Sequence, residues 1–227
     1  MQRRALIAGA GGSFGTALVR RFTQAGYAVD AIVRRPESIP AVGTASTIAC
    51  DLTVEATARP ALERLVAQAD GIDVLVFNVA TLVTGSFEKL ARDDFDRCFQ
   101  ASVGAAVTTV QAVLPCMLRR GAGAILFSGA TASIRGSSGF AAFAAAKFAL
   151  RGLAQSLARE HQPHGIHVAH VLLDGLLRGS ASVTRFGANA AKTLDVDEVA
   201  KTYVWLAEQP RSAWTHELDL RHHEERF

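Results

Sequence analysis

The sequence predicts a single α/β domain in which a doubly wound parallel sheet of about seven strands carries helices on both faces. Short apolar runs alternate with longer segments of helical periodicity, which is typical of strand–helix–strand units. Most of the short runs are apolar at consecutive positions, as strands covered on both faces require. The length of 227 residues suits one large domain, and no repeat or linker interrupts it. We therefore expect one domain over residues 1–227.

The predicted elements follow one another in regular alternation. The runs predicted as strands are Ala5–Ala8, Ala28–Val33, Thr47–Cys50, Val74–Phe77, Ala124–Ser128, His167–Leu173 and Glu217–Leu220. The segments predicted as helices lie near 14–25, 54–69, 92–119, 139–161 and 195–208. Strands separated by helices in this way are expected to be parallel and joined by right-handed crossovers.

Composition excludes several classes of function. The formal net charge is +3 and the basic residues form no long stripe, so we expect no nucleic-acid partner. The three cysteines are odd in number and form no C-x-x-C pair, which favours free thiols in the cytoplasm. No apolar run reaches the roughly 18 residues needed to span a bilayer, so we expect no membrane partner.

Two groups of histidines are candidate metal ligands, and both have a simpler interpretation. His161, His164, His167 and His170 recur at every third position, but Pro163 and its neighbouring glycine break any common helix. Residues an odd number apart on a strand face opposite sides of the sheet. The histidines at 222 and 223 lie near the end of the chain and are expected to be solvated. We predict no metal site.

A glycine-rich turn joins the first predicted strand to the first predicted helix. It contains Gly9, Gly12 and Gly15, with Ser13 and Phe14 between the last two. A diphosphate needs a tight turn, a backbone that it can approach closely, and the free N–H groups of a helix N-terminus. The turn is therefore predicted to bind a dinucleotide, and the alternative is a closely packed flexible loop.

With this turn the sequence resembles the short-chain dehydrogenase/reductase family, whose usual pattern is T-G-x-x-x-G-x-G. Gly9 and Gly15 match that pattern, whereas Ala8 replaces the threonine and Ser13 replaces the middle glycine. Gly12 instead gives G-x-x-G-x-x-G, the spacing of the family's extended and atypical branches. The resemblance implies a Rossmann-type fold that binds a nicotinamide dinucleotide.

Three further motifs extend the resemblance from Leu6 to about Leu220. The family's adenine-binding aspartate, its N-N-A-G motif beside the adenine ribose and its Y-x-x-x-K motif all have counterparts at the expected places. These counterparts are Asp51 with Leu52, the segment Asn78, Val79 and Ala80, and the pair Phe143 and Lys147. The resemblance implies that all of them except Phe143 contact the cofactor.

The end of the second strand indicates which dinucleotide is bound. NAD-dependent enzymes usually place an acid there to bind the ribose 2′-hydroxyl, whereas this strand ends in Arg34 and Arg35 and Asp30 comes several residues too early. Two guanidinium groups suit a 2′-phosphate, to which Ser13 could donate another hydrogen bond. We expect NADP(H) to be preferred over NAD(H), the alternative being that both arginines are solvated turn residues.

The proton relay that the resemblance implies is largely missing. The family's tyrosine position holds Phe143, its serine position holds Ala130 and its asparagine position holds Ser102, so that only Lys147 remains. Thr131, adjacent to Ala130, is the candidate substitute for the missing acid. Further candidates for a replacement proton donor are Ser128, Ser133 and Asp174.

Two functions remain open at this stage. The first is an oxidoreductase that moves hydride to or from a small carbonyl or alcohol with a degenerate proton relay. The second is a non-catalytic dinucleotide-binding sensor or partner subunit, in which Lys147 is kept for ribose binding.

The resemblance also implies a lid and an assembly. Gly175 follows the sixth strand at the cofactor, and a substrate lid is expected over about residues 175–195, with Phe186 in it. The alanine-rich stretch around Lys147 favours a helix that neighbours can approach closely. Because family members pair this helix across an interface, we expect a homodimer or homotetramer.

Overall fold

A parallel sheet of seven strands forms the centre of the computed structural model, which describes residues 2–35, 43–69 and 71–225. The strand order is β3-β2-β1-β4-β5-β6-β7. The strands are β1 (Arg4–Ala8), β2 (Ala28–Val33), β3 (Ser46–Ala49), β4 (Val74–Phe77), β5 (Gly123–Ser128), β6 (Ile166–Asp174) and β7 (Glu217–Arg221). Every strand predicted from the sequence is present, with ends that differ by no more than one residue.

Helices cover both faces of this sheet. They are α1 (Gly12–Gln24), α2 (Glu55–Gln68), α3 (Arg92–Phe99), α4 (Ala105–Arg120), α5 (Ala141–His161), α6 (Ala181–Arg185) and α7 (Val196–Ala207). The single helix predicted over 92–119 is wrong in one respect, because a π-helical turn at Gln100–Gly104 separates α3 from α4. Gly104 leaves room there for the side chain of Gln100, which a Cβ atom would displace.

The sheet divides the core into two halves. On β1, Ala5 and Ile7 face the half that contains the buried residues of α1 and α7. Leu6 and Ala8 face the half built with α2, α4 and α5. Both faces of the strand are therefore buried, which explains why the sequence is apolar at consecutive positions rather than alternating.

The segment from α3 to α4 is long and apolar enough to cross a membrane by length and composition. More than half of its most apolar window, 56%, is buried inside the protein, where α4 packs on the sheet. Burial in the core accounts for its apolar sequence, since a helix covered by protein is selected for the same composition.

The strand order reverses between β1 and β4, because β2 and β3 lie on one side of β1 and β4 to β7 on the other. In open α/β sheets a crevice forms at this switch point, outside the carboxyl ends of the strands. Gly9 follows β1 and Asn78 follows β4, and the Asn78 side chain donates a hydrogen bond of 3.0 Å to the main-chain oxygen of Gly9. The candidate site begins at this contact.

Candidate functional site

Two adjoining clefts lie at the carboxyl ends of the strands. The first has a volume of about 450 Å³ and lies above β1 to β4. The second has a volume of about 710 Å³ and lies above β4 to β6, under the segment from Gly175 to Thr193. Asn78 and Ala80 line both clefts, so the two form one continuous depression. The combined space suits a ligand much longer than a single ring system.

The first cleft contains nine of the residues predicted to bind a cofactor. They are Gly9, Gly12, Arg34, Arg35, Asp51, Leu52, Asn78, Val79 and Ala80. The second cleft contains Lys147 and Gly175, together with Ala130, Thr131 and Phe143. Ser13, Phe14, Gly15 and Ser102 line neither cleft, and each has a different structural reason.

The glycines of the turn have distinct roles. Gly9 has a φ of +84°, and a Cβ atom there would lie 2.8 Å from the main-chain oxygen of Asn78. Gly15 packs so closely on the main chain of Ala10 that no Cβ atom fits. Gly12 also has a positive φ, +71°, but a Cβ atom on it would meet nothing within 4 Å. Gly9 and Gly15 thus allow the turn to fold, whereas Gly12 keeps the surface of the cleft open.

Helix α1 begins in the cleft without a side-chain cap. Gly11 is its N-cap residue, no side chain bonds to the cap, and the first turn contains no acid. The first N–H groups of a helix have no partner inside the helix, and the helix dipole adds positive potential there. This end of α1 is therefore able to receive an anion such as a diphosphate.

Two neighbours of this helix end were predicted as cofactor ligands but point elsewhere. The ring of Phe14 is 4% exposed and packs edge-on against Tyr203 in the core, with 5.5 Å between ring centres. The main chain of Phe14 lies in the first turn of α1, but its side chain points into the core and not into either cleft. The Ser13 hydroxyl is buried close to Gly179 of the expected lid, and it does not line the cleft that contains Arg34 and Arg35. Its predicted contact with a 2′-phosphate has no support in this geometry.

Positive charge concentrates at the end of β2. Arg34 and Arg35 are exposed and both line the first cleft. Asp30, the only nearby acid on β2, is 1% exposed and forms an ion pair of 3.0 Å with Arg4. Asp30 is therefore unable to reach a ribose in the cleft, in agreement with the sequence argument.

Opposite these arginines, Asp51 is held in a fixed orientation. Its carboxylate accepts hydrogen bonds from the main chain and the hydroxyl of Thr53, at 3.0 and 2.7 Å. The Thr53 hydroxyl bond, with smaller contributions from the Thr53 N–H and the charge of Arg34, lowers the pKa of Asp51 below its ordinary value. An ionised acceptor at this wall suits the amino group of a purine.

Lys147 is the only ionised predicted ligand in the second cleft, and it is 4% exposed. Its ammonium group donates a 2.8 Å hydrogen bond to the main-chain oxygen of Ser128 at the end of β5. Burial lowers the pKa of Lys147 to about 8. The Phe143 ring lies one helical turn away, 5.7 Å from Nζ, and offers no hydroxyl.

The other two relay positions are equally unable to transfer a proton. Ala130 lines the second cleft beside Thr131 but has no polar side chain. Ser102 is fully buried within the π-helical turn, and its hydroxyl has no hydrogen-bond partner among the described residues. Neither residue therefore offers a hydroxyl to the second cleft.

Thr131 has a partner that its position in the sequence did not predict. Its hydroxyl donates a 2.5 Å hydrogen bond to Asp174, which ends β6 and is 3% exposed. Asp174 in turn lies 3.4 Å from the guanidinium group of Arg221 on β7. Of the other candidate donors, Ser128 bonds to buried Tyr203 at 2.9 Å and Ser133 bonds to buried His170 at 3.3 Å.

The outer wall of the second cleft is mostly apolar. Phe186, predicted in the lid, packs against Phe140 with 5.9 Å between ring centres. Leu82 and Arg135 also line the cleft, and sequence reasoning missed both. Arg135 follows the short turn after β5, a place where a charged side chain gives no signal of its own in the sequence.

Neither histidine group forms a metal site in the described part of the chain. His167 stacks on Trp214 and bonds to the main-chain oxygen of Thr215, whereas His170 faces Ser133. The two strand histidines therefore have separate partners, as their odd spacing predicted.

Comparison with known proteins places this geometry in context. The model of the family described as short chain dehydrogenase matches residues 3–177. The fatty acyl-CoA reductase of Acinetobacter baylyi is 27% identical over 225 residues, which cover 93% of this chain and 75% of that protein.

Solved structures agree with the fold. A short-chain dehydrogenase from Rhodopseudomonas palustris is 31% identical, with a TM-score of 0.79 over 96% of this chain and 98% of that one. A metagenomic short-chain oxidoreductase in complex with NADP is 25% identical, with a TM-score of 0.83 over 96% of each chain. A xylitol dehydrogenase bound to NAD⁺ shares the fold at 20% identity, with a TM-score of 0.87 over 97% of this chain and 98% of that one.

Proposed function

This chain belongs to the short chain dehydrogenase family of oxidoreductases, and from that premise we propose that it binds NADP(H) and moves hydride to or from a small carbonyl or alcohol. The observation that carries the proposal is the first cleft. Within it, the uncapped start of α1 faces the space that Arg34 and Arg35 share. A diphosphate and a separate 2′-phosphate would each meet positive potential there.

The preference for the phosphorylated dinucleotide rests on charge. Arg34 and Arg35 line the cleft, while Asp30 is buried and paired with Arg4. Relatives with either nucleotide share the fold, so the preference is a property of these side chains rather than of the family.

Each part of the dinucleotide has residues that suit it. Asp51 and Leu52 would hold the adenine, Asn78 to Ala80 the adjoining ribose, and Lys147 the ribose of the nicotinamide. When bound, the nicotinamide ring would supply or accept the hydride. Gly175 and the segment that follows it would cover that ring and exclude water.

A second function, a dinucleotide-binding sensor or partner subunit without turnover, is favoured by one observation. Phe143, Ala130 and Ser102 occupy the relay positions, and none of them can transfer a proton into the second cleft. Family membership favours the oxidoreductase, because the second cleft and the buried Lys147 are both retained.

One experiment separates the two functions. The purified protein is titrated calorimetrically with NADPH and with NADH, and is then incubated with NADPH and a panel of small aldehydes and ketones. Turnover that Lys147→Ala abolishes supports the oxidoreductase. Tight NADPH binding without turnover supports the sensor, and the absence of any binding heat refutes both.

Two further proposals concern the protein in the cell. Cys50, Cys98 and Cys116 are free thiols, which agrees with a reducing compartment, and we place the protein in the cytoplasm. Large apolar side chains remain exposed on α3, α4 and α5, namely Phe99, Leu118 and Phe148. They support a homodimer or homotetramer.

A further inference from the structure

We propose that Asp174 fixes the Thr131 hydroxyl as a hydrogen-bond acceptor toward the second cleft, so that the cleft selects an alcohol over the matching carbonyl. The inference rests on the proposed function, because it names the ligand class of the same cleft. It also assigns two roles that the family resemblance does not supply. Thr131 would touch the ligand, and Asp174 would act through Thr131 as a positioning residue.

Thr131 and Asp174 lie at the carboxyl ends of two neighbouring strands, β5 and β6. Thr131 lies in the short 3-10 turn Thr131–Ser133 after β5 and lines the second cleft with Lys147 and Phe143. Asp174 ends the neighbouring strand β6 and is 3% exposed, beneath Thr131. Thr131 thus lines the cleft, and its hydroxyl is held by a buried carboxylate.

The hydrogen bond between Thr131 and Asp174 has a defined direction. A carboxylate can only accept, so the single proton of the Thr131 hydroxyl points to Asp174 across 2.5 Å. Hydrogen bonds from a hydroxyl to a carboxylate are among the stronger ones in proteins. Only lone pairs of the Thr131 oxygen then remain for the cleft, and a carbonyl oxygen would meet them with repulsion. A ligand hydroxyl can donate to them instead.

The carboxylate of Asp174 is held in place by Arg221. The guanidinium group of Arg221 lies 3.4 Å from its second carboxylate oxygen, and Arg221 is also paired with Asp219. Arg221 thus fixes one oxygen of Asp174, and the other oxygen accepts the hydrogen bond from the Thr131 hydroxyl.

The same geometry provides an acceptor for the hydroxyl proton of an alcohol. In the oxidation of a secondary alcohol, the C–H and O–H bonds break and the carbon–oxygen double bond forms. The oxidised nicotinamide dinucleotide of the proposed function is the hydride acceptor. The hydroxyl proton passes to the Thr131 oxygen while the Thr131 proton passes to Asp174, so that Asp174 ends the step protonated.

Cyclohexanol and cyclohexanone form a matched pair of probes for this proposal. Their dissociation constants are measured by NMR chemical-shift titration of the protein without dinucleotide. We expect the wild-type protein to bind cyclohexanol about fivefold or more tightly than cyclohexanone, because a hydrogen bond to a charge-polarised partner is stronger than a neutral one. Thr131→Val should make the two constants equal within about twofold, and Thr131→Ser should keep the preference for the alcohol.

Asp174→Asn is the decisive variant. Its amide oxygen should turn to the guanidinium of Arg221, which leaves the NH₂ group to donate to Thr131. The Thr131 proton is then free to point into the cleft, and the preference should reverse toward cyclohexanone. Thr57→Val on the exposed first turn of α2 is the control, and thermal unfolding of each variant shows that it is folded.

Several results would overturn the proposal. They are wild-type constants within twofold of each other, a wild-type preference for cyclohexanone, no binding of either probe, or an alcohol preference that survives in Thr131→Val or in Asp174→Asn. The ratio is measured without dinucleotide and without turnover. A failure of the proposed function would appear instead as the absence of NADPH binding or of hydride transfer, so the two failures are distinguishable.

Discussion

The ammonium group of Lys147 lies 5.7 Å from the centre of the Phe143 ring, one helical turn away on α5 and facing the same cleft. The lysine is buried and bonded to a main-chain oxygen, and the residue that would share its charge is an apolar ring. Phe143 therefore has no proton to exchange with Lys147.

We predict that Phe143→Tyr increases the rate of carbonyl reduction by about tenfold or more. The new phenol would lie beside the Lys147 cation. A positioned general acid typically increases the rate by 10²- to 10⁴-fold. We expect a smaller increase here because the serine and asparagine partners of the relay are missing. Steady-state kinetics with NADPH and the best carbonyl of the panel measure the effect. Phe87→Tyr on an exposed turn is the control, and equal rates for the Phe143→Tyr and wild-type proteins would refute the prediction.

The double substitution Arg34→Ala with Arg35→Ala should discriminate between the two dinucleotides. Charge-assisted hydrogen bonds to a phosphate are each worth roughly 1.5–3 kcal/mol, so NADPH affinity should fall by at least about thirtyfold. NADH affinity should change by less than about threefold, because it carries no 2′-phosphate. Calorimetric titration measures both constants, with Arg92→Ala on α3 as the control. Equal losses for the two ligands would show that these arginines do not read the 2′-phosphate.

Two glycines of the turn should respond differently to alanine. Gly15→Ala places a Cβ atom in the main chain of Ala10, so we expect a loss of stability of about 3 kcal/mol or more, or failure to fold. Gly12→Ala meets open space but must keep a positive φ of +71°, which costs about 1–2 kcal/mol. Thermal unfolding ranks the two, and NADPH titration of the Gly12 variant should show weakened binding. A Gly12 variant less stable than the Gly15 variant would contradict the packing.

The pKa of Lys147 predicts a pH dependence of stability. Burial lowers this pKa from 10.5 to about 8, so between these values the unfolded chain binds a proton that the folded protein does not. Stability should therefore rise, relative to a variant without the lysine, as pH increases from about 8 to 10.5. The full effect is roughly 3 kcal/mol.

The measurement compares urea unfolding of the wild-type and Lys147→Met proteins at pH 7, 8, 9 and 10. Subtraction removes the other groups that titrate in this range, such as Cys50, whose pKa is raised by burial. Lys89→Met on an exposed turn is the matched control. A difference between wild type and Lys147→Met that stays constant over this range would mean that the amine is charged throughout.

The assembly prediction concerns the exposed apolar side chains. Phe99, Leu118 and Phe148 are 40%, 38% and 44% exposed on α3, α4 and α5, and such side chains are commonly covered in an oligomer. Light scattering at micromolar concentration should give a dimer or tetramer, and Phe148→Lys should shift it toward the monomer. A monomeric wild-type protein at that concentration would exclude the proposed assembly.

The fold was accessible from the sequence because its five inner strands are buried on both faces, namely β1, β2, β4, β5 and β6. Runs such as Val74–Phe77 are apolar at every position. A segment as short as this needs an apolar residue at every position only when it is a strand with both faces buried. The break between α3 and α4 was not accessible, since it depends on the fit of one side chain beside Gly104. The periodicity of apolar residues over 92–119 does not reveal that the π-helical turn contains one residue more than a turn of α-helix.

The site was accessible where short motifs define it and hidden where distant residues meet. Gly9, Asn78 and Lys147 were found because each follows or lies within a recognisable element. The hydrogen bond between Thr131 and Asp174 joins residues 43 positions apart in the chain, and periodicity carries no information about such pairs. The direction of Ser13 likewise depends on Gly179, which only the folded chain brings near.

Among the described residues, Asn78 and Ala80 are the ones that line both clefts, and this shared boundary has a consequence for inhibitor design. A compound confined to the larger chamber can bind together with an adenine mononucleotide in the smaller one, because neither crosses the boundary. A compound that extends past Asn78 must instead displace the nucleotide. A fragment screen run with and without adenosine phosphates would therefore distinguish compounds that bind together with the nucleotide from compounds that compete with it. This can be done before any substrate is known.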